Sequence, residues 1–243
     1  MPLLPYCVFL AAPSEVPTAG VENRVVRHLD LAGLSVIYSD LETNEIAGDK
    51  FQPAALKFHE VIDRVFQQRA VIPFRFPTFL SEVTLRDHLE KDSEQYLNFL
   101  RAHAEHVQME IRIWRAEVPG PVRSSRDDAK SAAPSKPIGG TEYMKRLLEL
   151  QMPLQLAARE VQRISEPLVH EWKTDEGRDW IRVFALVPRK HVDDLRHRLS
   201  PSLVEPRRTH MRVTGPWPAT QFFARSSTPI PHNVLSITRG ENS

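Results

Sequence analysis

Cysteine is nearly absent from this chain: Cys7 is the only one in 243 residues. A lone thiol excludes an internal disulfide framework and a cysteine-built zinc site. Set in the apolar run Leu3–Ala12, it reads as inert core in a reducing compartment. Glycine is scarce as well, 9 residues against 20 prolines. Loops that cradle phosphate are built on glycine, so the composition argues against nucleotide chemistry. No apolar run approaches the roughly 20 residues that cross a bilayer. Leu3–Ala12 has no Lys or Arg before it, as a signal peptide would, and is expected to form a buried strand of a cytoplasmic protein. A dominant charge is missing too, with 32 basic side chains against 31 acidic ones. That balance supplies no overall attraction to nucleic acid or membrane. Its distribution is uneven: residues 1–118 hold 12 basic and 17 acidic side chains, residues 119–243 hold 20 and 14. Halves of opposite sign suit docking on each other or head-to-tail contact between copies.

What is present fits a globular α+β protein. Apolar residues make up 41% and charged ones 26%, enough to bury a core in one large domain or in two of about 120 residues. Tyr6–Ala11, Leu34–Asp40 and Val71–Phe76 are short and rich in β-branched or aromatic residues, as strands are. Met109–Arg115 alternates apolar and polar positions like a half-buried strand. Between them, Ala55, Phe58, Ile62, Val65 and Phe66 recur at helical spacing behind Pro53, and Ser81 is placed to cap a helix carrying Leu85, Leu89, Tyr96 and Leu100. These elements predict a first domain over 1–118, a four-stranded sheet with two helices on one face, in an order that differs from the usual split βαβ unit. Residues 119–138 are polar, proline-bearing and aperiodic, a linker. A second α+β domain is expected over 139–223, with a long amphipathic helix and a small antiparallel sheet. Its helix carries Tyr143, Leu147, Leu150, Leu154, Ala157, Val161, Ile164 and Leu168, an apolar seam with Pro153 inside it, a residue expected to kink or split the helix. The seam closes on its own sheet or on a second copy, and Pro153 favours the first. Strands are expected near Leu168–Lys173, Trp180–Val187 and His210–Thr214, a short helix near Lys190–Leu199, and an extended tail over 224–243.

No catalytic constellation emerges. His59-Glu60-Val61-Ile62-Asp63 approaches a zinc-binding helix, but Asp63 stands where the second His belongs and no third ligand follows. His103 and His106, three residues apart at a helix end, read better as partners of the helix dipole than as a metal pair. Gly139-Gly140-Thr141 lacks the Lys-Ser/Thr of a phosphate loop. No metal or cofactor is therefore expected. Arg196, Arg198, Arg207, Arg208 and Arg212 form a basic cluster, but no strand carries the aromatic motif of an RNA-binding sheet, so a solvated or protein-docking face is the preferred reading. Two stretches stand out. Val71–Thr78 (VIPFRFPT) puts Arg75 inside an apolar run between prolines, as at a sheet edge. Met211–Phe223 (MRVTGPWPATQFF) holds Trp217 between prolines, either as a plug for the core or as a low-entropy anchor for a partner.

On these stretches the chain resembles the GvpF/GvpL family of gas vesicle proteins. Val71–Phe79 is similar to the family's V-L-P-L-R-F-G-T-x-F segment, with Pro77 in place of Gly. Gln108–Trp114 is similar to its V-E-M-x-V-K-V-W strand, and Gly140–Met144 to its Gly-x-x-Tyr-Leu helix opening. Trp180–Leu199 resembles a late strand and helix. Thr214–Phe222 resembles the closing T-G-P-W-P-P-Y-S-F, with Ala219-Thr220-Gln221 in place of Pro-Tyr-Ser. The resemblance implies two α+β domains, the first ferredoxin-like, in a non-enzymatic accessory or minor structural component of the gas vesicle. It further implies binding of the small shell-forming protein and of other accessory proteins. On that basis the candidate partner surfaces are Arg75, Phe76 and Thr78 in the first domain, and Trp217 and Phe222 in the second. The alternative from the residues alone is an α+β enzyme or small-molecule binder with its site between the domains.

Overall fold

Runs of β-branched and aromatic residues become strands here, and the spaced apolar positions between them become helices. The structure, a computed structural model, describes residues 2–10, 16–42, 46–115, 140–200 and 209–223, with the backbone alone for 140–151. Strand β1 (Leu3–Leu10) is followed by β2 (Arg27–Leu31), β3 (Leu34–Asp40), helix α1 (Phe51–Phe66), the short strand β4 (Ile72–Pro73), and helices α2 (Glu82–Lys91) and α3 (Ser93–Ala102). Then come β5 (His106–Arg115), α4 (Gly140–Ser165), β6 (Glu171–Glu176), β7 (Trp180–Pro188), α5 (Val192–Arg198) and β8 (Thr209–Trp217). The strands form two four-stranded antiparallel sheets, ordered β2-β3-β1-β4 and β6-β7-β5-β8. The α+β class read from the sequence is the class observed.

In the first sheet the central strands are shielded on both faces: Cys7, Val8, Val36 and Ile37 are all 1% exposed or less. Burial also pushes the Cys7 thiol well above its ordinary pKa, which keeps it protonated and inert. Tyr6 packs its ring on Phe58 of α1 at 5.1 Å and donates its hydroxyl to Ser39. The β2–β3 hairpin turns on Ala32 and Gly33, with φ of 51° and 80°. Two successive positive φ angles match the right-handed twist of the strands they join. α2 begins as expected, with the Ser81 hydroxyl accepting from Thr84 N at 3.0 Å. The single helix expected after Ser81 is two, because Asp92 leaves helical geometry (φ −105°, ψ 11°).

The membership of the first sheet differs from the expectation. Its fourth strand is the charged β2, RHLDL, which an edge position allows and which no apolar alternation announces. Met109–Arg115, expected there, lies in β5 and pairs with β7 and β8 in the second sheet. The two sheets thus divide the strands between β4 and β5. The linker over 119–138, the tail over 224–243, Gly139, Arg207 and Arg208 lie outside the described residues.

The second sheet has one face against α4. Val107, Met109, Ile111 and Ile113 on β5, with Ile181, Val183, Ala185 and Val187 on β7, are 3% exposed or less. Leu154, Ala157, Ala158 and Val161 of α4 are buried with them, and α4 packs on β5 and β7. Over this half the apolar seam closes within the chain; the side chains of Tyr143, Leu147 and Leu150 lie outside the described residues. Pro153 does not split the helix, which runs as one element from Gly140 to Ser165.

Candidate functional site

The Val71–Thr78 stretch crosses the edge of the first sheet and is held at both ends by β1. Phe74 N donates to Tyr6 O at 2.8 Å, and Leu3 and Leu80 exchange two backbone hydrogen bonds of 2.8 and 3.0 Å. Between these anchors Phe76 inserts its ring against Phe51 and Phe58, at 5.3 and 5.0 Å. Thr78 donates its hydroxyl to Arg75 O at 2.5 Å, and the Phe76–Pro77 peptide is cis. Arg75 is left exposed. It neither stacks between Phe74 and Phe76 nor has an ion-pair partner among the described residues. The loop thus presents a guanidinium on a backbone that hydrogen bonds and an aromatic wedge keep in place, an arrangement that lowers the entropy lost on binding.

The second stretch stays in the sheet longer than expected. Pairing of β8 with β5 passes through an irregularity at Gln108/Glu110 and continues to Trp217 opposite Gln108. Gly215 makes this possible: its φ is 116°, and a Cβ there would stand 2.9 Å from Gln108 O. Arg196 Nη2 fixes the same residue by donating to its carbonyl at 2.6 Å. Trp217 does not plug the core; it is 44% exposed. Phe222, in a 3-10 turn at Thr220–Phe222, is buried, with Lys173 Nζ 5.2 Å from its ring centre. Of the two candidates here, Trp217 is exposed and Phe222 is buried.

The two stretches are joined by a line of rings. Phe74 meets His88 at 6.2 Å, His88 meets Tyr96 at 5.8 Å, and Tyr96 stacks on Phe223 at 5.6 Å and 11°. Phe99 closes on Phe223 edge-on at 5.0 Å. Arg189, at the end of β7, adds a polar fastening. Its Nη2 donates to Phe66 O and Arg69 O at 2.8 and 3.1 Å, capping the end of α1, and its guanidinium lies 4.6 Å from the Phe66 ring centre. Sequence reading missed both devices, because each joins residues more than 100 positions apart.

The remaining candidates separate. His103 ends α3 with its ring against Phe99 at 4.2 Å and Nδ1 2.8 Å from Phe99 O, as the helix-end reading expects. Among the described residues no group of three His, Cys, Asp or Glu side chains is placed to hold a metal. Three residues of the basic cluster are described, and two of them are engaged within the fold. Arg198 donates to Ile164 O, Arg196 braces Gly215, and Arg212 lies on β8.

His88 carries a pH prediction. Burial holds its pKa below the ordinary 6.5, against the pull of Asp92. His106 is shifted the same way, by burial first and then by His170 and His103. A histidine with a depressed folded pKa takes up its proton more readily in the unfolded chain. Its contribution is complete above the unfolded value and is lost as pH falls below it towards the folded pKa. Urea midpoints measured from about pH 7.5 down to about 5 are expected to fall, and His88→Gln to reduce the slope.

Comparison with known proteins places the chain in one family. The model of the family described as gas vesicle synthesis protein GvpL/GvpF matches residues 3–224. The fold is similar to the crystal structure of the gas vesicle protein GvpF from Anabaena sp. PCC7120, at a TM-score of 0.71 and 16% identity, covering 93% of this chain and 97% of that one. It is equally similar to GvpF from Microcystis aeruginosa, at a TM-score of 0.71 and 15% identity over 92% and 99%. No curated protein matches. With its match running through both sheets and both marked stretches, the chain belongs to the gas vesicle synthesis protein GvpL/GvpF family.

Proposed function

We propose that this protein is a non-enzymatic assembly component of the gas vesicle, acting in the cytoplasm by binding the small shell-forming protein together with other accessory proteins. The observation that carries the reading is the family match along residues 3–224. The described residues add two exposed groups on rigid supports, Arg75 on its anchored loop and Trp217 at the end of β8. A guanidinium beside an apolar wedge and a proline-flanked indole are the side-chain types that dominate binding energy at protein interfaces. The alternative, a small-molecule site between the two halves, is disfavoured because packed rings of Tyr96, Phe99 and Phe223 occupy that junction.

Titration of the purified protein with shell protein tests the placement of the surfaces. Arg75→Ala and Trp217→Ala are each expected to weaken binding about tenfold while leaving the melting curve in place. Unchanged binding by both folded variants would remove these surfaces from the proposal.

A further inference from the structure

The second sheet has another face, away from α4, and it carries a regular pattern of charge. In β5, β7 and β8 an arginine stands between two apolar residues: Ile111-Arg112-Ile113, Ile181-Arg182-Val183 and Met211-Arg212-Val213. The register sets these arginines directly opposite one another, Arg112 against Arg182 on one side and against Arg212 on the other. Strands lie about 4.8 Å apart, so the three guanidinium stems form one row about 10 Å long. Directly opposed like charges destabilise a sheet. Arg182 is compensated by Asp175, which accepts from its Nη2 at 2.5 Å. Arg112 and Arg212 are exposed, and among the described residues neither has an ion-pair or hydrogen-bond partner. The covered part of this face lies further along the strands, where the 3-10 turn binds Gln108 and Lys173 through Gln221.

We propose that this row is a docking surface for an acidic polypeptide segment of a partner protein, one that sets two carboxylates side by side across Arg112 and Arg212. The inference stands apart from the assignment of Arg75 and Trp217 and does not rest on it. The chain's longer undescribed segments carry no excess of carboxylates, and the short ones, 11–15 and 43–45, hold one each, Glu15 and Glu45. Residues 116–139 hold four basic and three acidic side chains, 201–208 two and one, 224–243 two and one. Each of these three would add positive charge to the row, and neither short segment holds the two carboxylates needed, so the complement comes from another molecule. The neighbouring aromatics favour polypeptide over nucleic acid. Trp180 is engaged by the Arg182 guanidinium at 4.6 Å and lies against the Gly177 backbone, and Trp114 packs with His210 at 5.6 Å. Both indoles are half-buried and already in contact with neighbours, unlike the open platforms on which bases stack.

The test uses the full chain with a fluorescent polyglutamate peptide and, separately, a fluorescent single-stranded RNA of equal charge, read by anisotropy at low and physiological salt. The peptide is expected to bind, and the double variant Arg112→Gln/Arg212→Gln to lose at least about tenfold in affinity. The same variant is expected to melt no lower than the parent, because it removes a like-charge pair; a purely structural role would lower its melting temperature. Arg75→Ala should bind the peptide as the parent does. Absence of peptide binding, equal binding by the double variant, or RNA binding as tight as the peptide's would overturn the proposal.

Discussion

Phe58→Ala is expected to lower stability by about 3–5 kcal/mol, the cost of emptying a large aromatic site in a packed core. Phe58 is fully buried in α1, with Tyr6 at 5.1 Å on one side and Phe76 at 5.0 Å on another. The space left cannot close easily, because Tyr6 is tied to Ser39 and accepts from Val21 N at 3.0 Å. Phe76 also loses a wall of its socket, so the loop that presents Arg75 should loosen along with the core. Urea unfolding gives the stability loss. Faster hydrogen exchange at the Phe74 amide, which donates to Tyr6 O, would report the loosening. A loss below about 1 kcal/mol would mean that the core around α1 is packed differently.

The second large effect is expected at Arg189. Arg189→Ala removes one donor from two carbonyls at the end of α1 and a cation from the Phe66 ring. Hydrogen bonds from a charged donor contribute about 1.5–3 kcal/mol, and the orphaned carbonyls at a helix end add to the loss. A total of about 3 kcal/mol is expected in urea unfolding. The location matters more than the magnitude, since this contact joins the helix packed on the first sheet to the end of β7, a central strand of the second. Unfolding of Arg189→Ala should therefore lose coincidence between tryptophan fluorescence, which reports the second sheet and its neighbours, and far-UV dichroism. All four Trp residues lie in β5, β6, β7 and β8, so the two probes see different parts of the molecule. Coincident transitions at full parental stability would show that Arg189 does not fasten the halves.

Local sequence carries much of this architecture, and the places where it fails share a cause. The Ser81 cap, the helix over Phe51–Phe66 and strand β7 follow from capping chemistry and apolar spacing within a dozen residues. Strand β2 escaped because an edge strand needs no apolar alternation, although the Ala32-Gly33 turn before Leu34 was a usable signal. Strand β5 was recognised but given to the wrong sheet, because pairing partners at Trp180 and Thr209 lie beyond the segment outside the described residues. Its alternation fixes which side chains share a face, never which strand lies alongside.

The candidate site divides in the same way. Arg75 was legible because a cation inside an apolar run between prolines needs a reason, and the structure gives it one: an exposed position on an anchored loop. Trp217 was legible as unusual but not as exposed, since Gly-Pro-Trp-Pro fits a buried turn as well as a strand end. The arginine row was written three times as an Arg between apolar neighbours, yet only the register shows that the three stand side by side.

Co-expression of this chain with the small gas vesicle shell protein, followed by co-purification and size exclusion with light scattering, tests the central claim most directly. The account predicts a soluble complex of defined mass in which both chains are present. A chain that elutes alone while the shell protein aggregates would contradict it.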